Sequence, residues 1–269
     1  MISLRPLRPL RPLALLALSP LLGSAAAWGQ EVAYAPGTAS YRVTTVTRGT
    51  QRSPMGNQPF AVTIDEQITV ALARRAADTL AATLTIDSIA LGGSGPAPDM
   101  RRYRGSAFVT LVSPTGAVYS MRGPEGGDPV LAQLGESVRN FLPTIRRDLR
   151  PGVAWSDSSS GKVTQQGMQV DRTIRSSYTV TGDTVVDGTR AWRLQRHTAV
   201  TAAGAGTANG TAVTLASSTA GEATLLISPD GRYLGATSRD DVDLKLTLST
   251  QGIQIDIQQQ ATQSVHRLR

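Results

Sequence analysis

Residues 241–260 read DVDLKLTLSTQGIQIDIQQQ, and the regular alternation in this stretch decides the fold. Apolar residues occupy every second position on both sides of a Gln251-Gly252 pair. A period of two places all the apolar side chains on one face of a strand and the polar ones on the other, and a glycine in a short link favours a tight turn. The stretch predicts a β-hairpin with one polar, solvent-facing side and one apolar side. The apolar side is made by Val242, Leu244, Leu246, Leu248, Ile253, Ile255 and Ile257.

The same alternation recurs along most of the chain and predicts a mainly β fold. In the first half, Ser113-Pro114-Thr115-Gly116 lies between two apolar runs, and proline and glycine at these positions are typical of a hairpin turn. The small-residue stretch 201–211 is expected to be a flexible hairpin tip. About eleven antiparallel strands are expected in all. Those of the first half lie near 41–43, 62–72, 80–86, 106–112 and 117–121, and those of the second half near 162–170, 173–180, 191–200, 211–217, 222–228, 232–248 and 253–265.

One segment between the two sets of strands has helical periodicity instead. Asp128 is a good N-cap residue, and Pro129 suits the first helical position. Pro143 is expected to end or kink the helix. The sequence predicts one amphipathic helix near 128–142, with an apolar face made by Val130, Leu131, Leu134, Val138, Phe141 and Leu142.

The first 29 residues have the composition of a secretory signal peptide. Three arginines precede an apolar stretch at 13–22, and small residues follow it. This order is typical of such a peptide, and the apolar stretch is shorter than the roughly 20 residues that a membrane-spanning helix needs. Cleavage is expected after Ala27 or Gly29. We therefore predict that residues 30–269 form a single antiparallel β domain, exported to the periplasm or the extracellular space of a bacterium.

Composition argues against several classes of function. The chain has no cysteine, which leaves out disulfides, thiolate metal sites and cysteine nucleophiles. Lys and Arg number 27 against 20 Asp and Glu, and three of the arginines fall in the first 29 residues, which leaves an excess of four. Aromatic residues make up only 4% of the chain. We expect no nucleic-acid partner and, since no other segment has spanning length, no integral membrane protein.

No set of reactive residues in the sequence predicts an enzyme. His197 and His266 each lack a cluster of carboxylates at metal-ligand spacing. The segment 92–95, Gly-Gly-Ser-Gly, does not have the Gly-x-Ser-x-Gly pattern of a hydrolase nucleophile, and no phosphate-binding glycine loop is present. We expect no catalytic residue, no metal site and no cofactor.

Glu66 breaks the alternation of the second strand. It has the same parity as Ile64, Ile68 and Val70, so it is predicted to point to the apolar side. An ionised carboxylate needs a partner there. A strand bulge or an arginine, Arg42 or Arg48, is the expected solution, ahead of contact with a ligand.

The layout of the chain resembles the periplasmic lipoprotein-carrier superfamily (LolA/LppX-like) and similar uncharacterised exported β-proteins of bacteria. The likeness rests on the helix from Asp128 to about Leu142, the segment 151–155 after it, the Asp230-Gly231 turn, and a meander of strands on either side of the helix. The resemblance implies a strongly curved sheet, a half-barrel, whose concave face is covered by the helix. This chain differs from that superfamily in having no lipoprotein cysteine and few large aromatic residues.

The predicted helix is too short to cover one whole face of such a sheet, because four turns span only about 22 Å. Apolar concave surface is therefore expected to remain free, and surface of this kind binds ligands. The sequence predicts a non-enzymatic exported protein that binds a lipid or another apolar ligand there. The alternative is a structural or protein-interaction module of the cell envelope with no ligand cavity. The candidate lining residues are Ile64, Val70, Leu131, Leu134, Val138 and Phe141.

Overall fold

The computed structural model describes residues 31–93, 99–124, 128–139, 141–165, 168–208, 211–248 and 252–269. The predicted signal peptide and its cleavage site lie outside these residues. The strands of the first half are β1 (Gly37–Ser53), β2 (Gly56–Ala76), β3 (Thr79–Gly93), β4 (Ala107–Val112) and β5 (Val118–Arg122), with a short 3-10 helix at Met100–Tyr103. The helix α1 (Pro129–Arg139) is followed by β6 (Ala154–Gln165), β7 (Met168–Val186), β8 (Thr189–Ala208), β9 (Thr211–Ile227), β10 (Tyr233–Leu248) and β11 (Ile253–Arg267).

All eleven strands belong to one antiparallel sheet. Their order is β5-β4-β3-β2-β1-β11-β10-β9-β8-β7-β6. The first and second halves of the chain each form a meander, and the two meanders meet where β1 pairs with β11, from Tyr41 opposite Arg267 to Arg52 opposite Asp256. The edges β5 and β6 do not pair with each other in the described part of the chain, so the sheet is not closed into a barrel. The predicted mainly β fold of about eleven strands is confirmed.

The period of two decides which face of the sheet is buried. In β10 the even-numbered residues from Ala236 to Leu248 are half-buried, whereas Arg239 and Lys245 are exposed. On the polar side of the hairpin, Asp241 accepts a hydrogen bond from the Gln260 side chain at 2.9 Å. Core residues from both meanders form one continuous apolar cluster. Strands far apart in the order can share a core only when the sheet curls around it, so the buried face is the concave one.

The helix α1 packs on this concave face, as predicted. The Asp128 carboxylate accepts a hydrogen bond from the Val130 N–H at 2.8 Å and caps the first turn. Leu134 and Val138 are buried in the shared core. The helix ends at Arg139, so Phe141 reaches the core from the turn that follows. Among the described residues, no helix has the length and apolar character needed to cross a membrane.

Several of the predicted turns are wrong. β7 runs without a break from Met168 to Val186, and β9 joins two predicted strands. Residues 201–208, expected in a flexible tip, continue β8, and β6 begins at Ala154, before the strand predicted near 162–170. The reason is the ladder of neighbouring strands, which holds even small residues extended: Gly204 approaches β7 so closely that a Cβ would collide with the Gln169 carbonyl oxygen.

Two turns of matching sequence hold the first described residues in place. Both the 113–116 turn and the 228–231 turn end in a glycine with positive φ, +89° at Gly116 and +77° at Gly231. The Tyr34 N–H donates to the Pro114 carbonyl at 2.7 Å, and the Ala35 N–H donates to the Gly231 carbonyl at 3.4 Å. Tyr34 is consequently buried at the base of the sheet, next to the start of β1.

Candidate functional site

The first candidate site is a cavity of about 210 Å³ between α1 and the concave face of the sheet, called the helix cavity below. Leu134, Val138 and Phe141 line it from the helix side. These are three of the six residues predicted to line a ligand site. The apolar part of the sheet side comes from Val43, Ile68, Ile86, Ala223, Leu225, Tyr233, Ala236 and Val265.

Charged side chains line part of the helix cavity. Glu66, Arg196 and Asp240 come from three different strands, and Glu136 comes from α1. Burial raises the pKa of Glu66 to about 7. Burial also raises the pKa of Asp240, although Arg196 opposes the change. The Glu136 carboxylate lies 3.6 Å from the Arg172 guanidinium. The helix cavity thus combines apolar walls with a charged rim.

Glu66 does not have the arginine partner expected from the sequence. Arg42 and Arg48 are exposed on the convex face, whereas Glu66 faces the concave one. A bulge does lie nearby, where the pairing between β2 and β3 skips Asp87, but the Glu66 side chain still points to the concave face. Among the described residues, no hydrogen bond or ion pair reaches the Glu66 carboxylate. Glu66 is the one charged member of a row of opposed residues across eight strands: Ile89, Glu66, Val43, Val265, Ala236, Leu225, Leu194 and Val180.

A second cavity of about 340 Å³ lies at the base of the sheet and is called the base cavity below. Val70, another predicted lining residue, contributes to it. Asp230 and Arg232 lie at its mouth and form an ion pair at 2.8 Å. Arg267 lines the cavity too and makes no ion pair with any described residue. The apolar and aromatic walls come from Tyr34, Ala39, Tyr41, Val70, Leu72, Leu142 and Tyr233.

Three aromatic rings separate the two cavities. The ring of Phe141 lies 5.1 Å from that of Tyr41 and 5.6 Å from that of Tyr233, both in edge-on geometry. The Tyr41 hydroxyl donates to the Tyr233 carbonyl at 3.0 Å. Burial raises the pKa of Tyr41 to about 12 and that of Tyr233 further still, so both hydroxyls stay neutral. Tyr233 lines both cavities, whereas Phe141 lines only the helix cavity and Tyr41 only the base cavity; a single ring therefore lies between the two spaces at Tyr233.

The other predicted lining residues lie elsewhere. Ile64 and Leu131 pack against the core and line neither cavity. Sequence reasoning missed Tyr41, Tyr233 and Arg267. For Tyr41 and Arg267 a signal was present: Tyr41 has the parity of the buried Val43, and Arg267 has the parity of the buried Val265.

Towards the other end of the long strands, the apolar face continues. The hairpin quoted first supplies Leu246 and Leu248 to a smaller cluster whose buried members are Met168, Val170 and Val213. Leu246 lies opposite Leu215 on β9 and Ile255 on β11. The apolar alternation of the hairpin thus builds a second, smaller core.

Histidine and carboxylate side chains are the groups in the described residues that could take part in metal binding or proton transfer. No group of three or more His, Asp or Glu side chains among the described residues could hold a metal ion. His197 lies 3.6 Å from Glu222 at the surface, away from both cavities. A carboxyl with a pKa near 7, as in Glu66, can exchange a proton with a ligand at neutral pH, but no histidine lines the helix cavity beside it.

No family model matches the chain, and no curated protein matches it. Among solved structures, the chain is similar to a DUF1329 family protein from Desulfovibrio piger ATCC 29098. The two are 9% identical over 82% of this chain and 84% of that chain, with a TM-score of 0.17. A likeness this weak supports no argument about function. Membership of the lipoprotein-carrier superfamily stays a prediction.

Proposed function

We propose that the protein is an exported, non-enzymatic carrier or sensor that binds an apolar or amphiphilic molecule on the concave face of its sheet. The observation that carries the proposal is the helix cavity, in which apolar side chains of α1 and the sheet face each other without filling the space between them. Composition of residues 1–29 supports export.

The lengths of the elements explain why such space exists. α1 has 11 residues and is about 16 Å long. β9 has 17 residues and is about 56 Å long. One short helix therefore covers only part of a face whose longest strands are more than three times its length. Apolar surface left in contact with water stabilises a bound apolar group by about 25 cal/mol for each Å² that the group covers.

The charged rim favours an amphiphile over a purely apolar molecule. A ligand with its apolar part against Leu134 and Val138 would extend its polar part out of the apolar walls towards charged side chains on the concave face. Charged groups at such a rim stay in contact with water while the chain is buried. The alternative, an envelope interaction module without a ligand cavity, has less support because the space beneath α1 is not filled.

Native mass spectrometry tests the proposal most directly. The protein is secreted by a bacterial host, purified without detergent and then extracted with solvent. We expect a stoichiometric apolar adduct, and uptake of a fluorescent fatty acid after the adduct has been removed. Ala236→Trp, which fills the helix cavity, should weaken uptake by more than tenfold. Ala199→Trp adds the same bulk at an exposed position of β8 and should leave uptake unchanged.

A clean mass together with no uptake by the wild-type protein would overturn the carrier function. Equal uptake by the wild type and by a folded Ala236→Trp variant would place the ligand outside the helix cavity. Thermal unfolding of both tryptophan variants shows whether each is folded.

A further inference from the structure

The helix cavity is too small, taken alone, for a molecule with a long chain. Sites for drug-sized ligands have volumes of roughly 300–1,000 Å³, and the helix cavity has about 210 Å³. With the base cavity of about 340 Å³ the combined volume is about 550 Å³. That volume lies well inside the range, and the contacting rings of Tyr41, Phe141 and Tyr233 lie between the two spaces.

Phe141 is the least constrained of the three rings. Tyr41 and Tyr233 are each 4% exposed and are tied together by the hydrogen bond between the Tyr41 hydroxyl and the Tyr233 carbonyl. Phe141 is only partly buried, and its ring is held by packing alone. It follows the last turn of α1, where its N–H donates to the Val138 carbonyl at 3.1 Å. A change of side-chain rotamer can therefore move this ring without breaking a hydrogen bond.

The charges that line the two cavities differ in sign. The helix cavity is lined by three carboxyl groups and one guanidinium, that of Arg196; Glu136 is paired with Arg172, which leaves Glu66 and Asp240 beside Arg196. The base cavity has two guanidinium groups against one carboxylate, and its Asp230 is already paired with Arg232. The remaining cation is Arg267, which lies opposite Tyr41 in the ladder. An anionic group is therefore favoured at the base cavity and disfavoured at the helix cavity.

We propose that the two cavities form one binding site for a single-chain anionic amphiphile, with its headgroup beside Arg267 and its chain passing Phe141 into the helix cavity. The inference rests on the proposed function. It adds the class of ligand, the orientation of the ligand in the site, and the residue, Phe141, that the ligand chain passes between the two cavities. A short chain fills the base cavity alone, and a long chain needs both.

Calorimetric titration of the secreted protein with octanoate, tetradecanoate and tetradecanol tests these points together. The wild type should bind tetradecanoate more than tenfold more tightly than octanoate. Ala236→Trp should reduce tetradecanoate affinity to that of octanoate and leave octanoate binding unchanged. Leu72→Trp fills the base cavity and should weaken both acids more than tenfold. Arg267→Gln should weaken tetradecanoate more than tenfold and change tetradecanol affinity less than threefold.

The variants separate failure of the inference from failure of the carrier function. No binding of any probe to the wild type overturns both. If Ala236→Trp weakens tetradecanoate binding and Leu72→Trp leaves it unchanged, the carrier function stands and the joined site is overturned. If Arg267→Gln weakens binding of the acid and of the alcohol equally, the position of the headgroup is overturned. Leu91 lines neither cavity, so Leu91→Trp is the control for the added volume of the tryptophan side chain. If Leu72→Trp does not fold, Ala39→Phe fills the same cavity.

Discussion

Replacing Glu66 by glutamine is expected to stabilise the protein at pH 8 and to have little effect at pH 4. Burial raises the pKa of Glu66 from 4.5 to about 7, so between these values the folded state holds a proton that the unfolded state releases. The stability that comes from this proton is fully present below pH 4.5 and is lost as the pH rises through about 7. The glutamine side chain has a similar shape and does not titrate, so the variant keeps that stability.

The size of the effect follows from the two pKa values. A tenfold change in proton affinity corresponds to about 1.4 kcal/mol, so the interval between 4.5 and about 7 corresponds to about 3 kcal/mol. Glu66 is only partly buried, and solvent relieves part of the cost. We therefore expect Glu66→Gln to raise the free energy of unfolding by about 1 to 3 kcal/mol at pH 8.

Urea denaturation of the wild type and the variant at pH 4, 6 and 8 measures this difference. Glu222→Gln is the matched control, because the Glu222 side chain is 71% exposed; its effect should stay below about 0.5 kcal/mol at each pH. A destabilised Glu66→Gln at pH 8 would refute the reasoning, since it means that the ionised carboxylate has a partner in the folded protein. The same gain at pH 4 as at pH 8 would also refute it, since the gain would then not come from titration of Glu66.

Three further predictions concern the helix and the turns that position the cavities. Asp128→Ala removes the cap of α1 and should lower the free energy of unfolding by about 1 kcal/mol in urea; no change would mean that the Val130 N–H finds another acceptor. Gly231→Ala should cost about 2 kcal/mol more than Gly252→Ala in the same assay: both glycines have positive φ, but only at Gly231 would a Cβ collide with a carbonyl, that of Ala33. Equal costs would contradict the close approach. Phe141→Ala should lower the free energy of unfolding by about 2 kcal/mol and speed tetradecanoate uptake in stopped-flow fluorescence; slower uptake would show that the ring does not obstruct the chain.

The parts of the fold that depend on local order could be predicted from the sequence. Leu248 pairs opposite Ile253, as the alternation on both sides of Gln251-Gly252 requires. Asp128 caps the one helix that the sequence predicted, although that helix ends at Arg139 and not near residue 142. The wrong turns fall where local signals were weak and neighbouring strands decide the conformation. Residues 201–208 are the clearest case, because Ala and Gly have little intrinsic preference for a strand.

The candidate site was predicted only in part for the same reason. Leu134, Val138 and Phe141 follow the helical period, so their common face could be read from spacing. The base cavity depends on pairing between the two ends of the chain, which places Tyr41 opposite Arg267. No spacing rule connects residues so far apart, and the missing partner of Glu66 is likewise a property of the assembled face and not of its own strand.

The meeting of β1 and β11 at the centre of the sheet has a consequence for the order of folding. Thr45 and Gln263, which share a side-chain hydrogen bond, are 218 positions apart, and closing a loop of that length costs about 5 kcal/mol of chain entropy. Hairpins within each meander can form as the chain emerges, but β11, which joins the meanders, follows all the other described strands in the sequence. The common core therefore closes only after β11 has been translated, and pairing of strands so far apart in sequence favours slow folding.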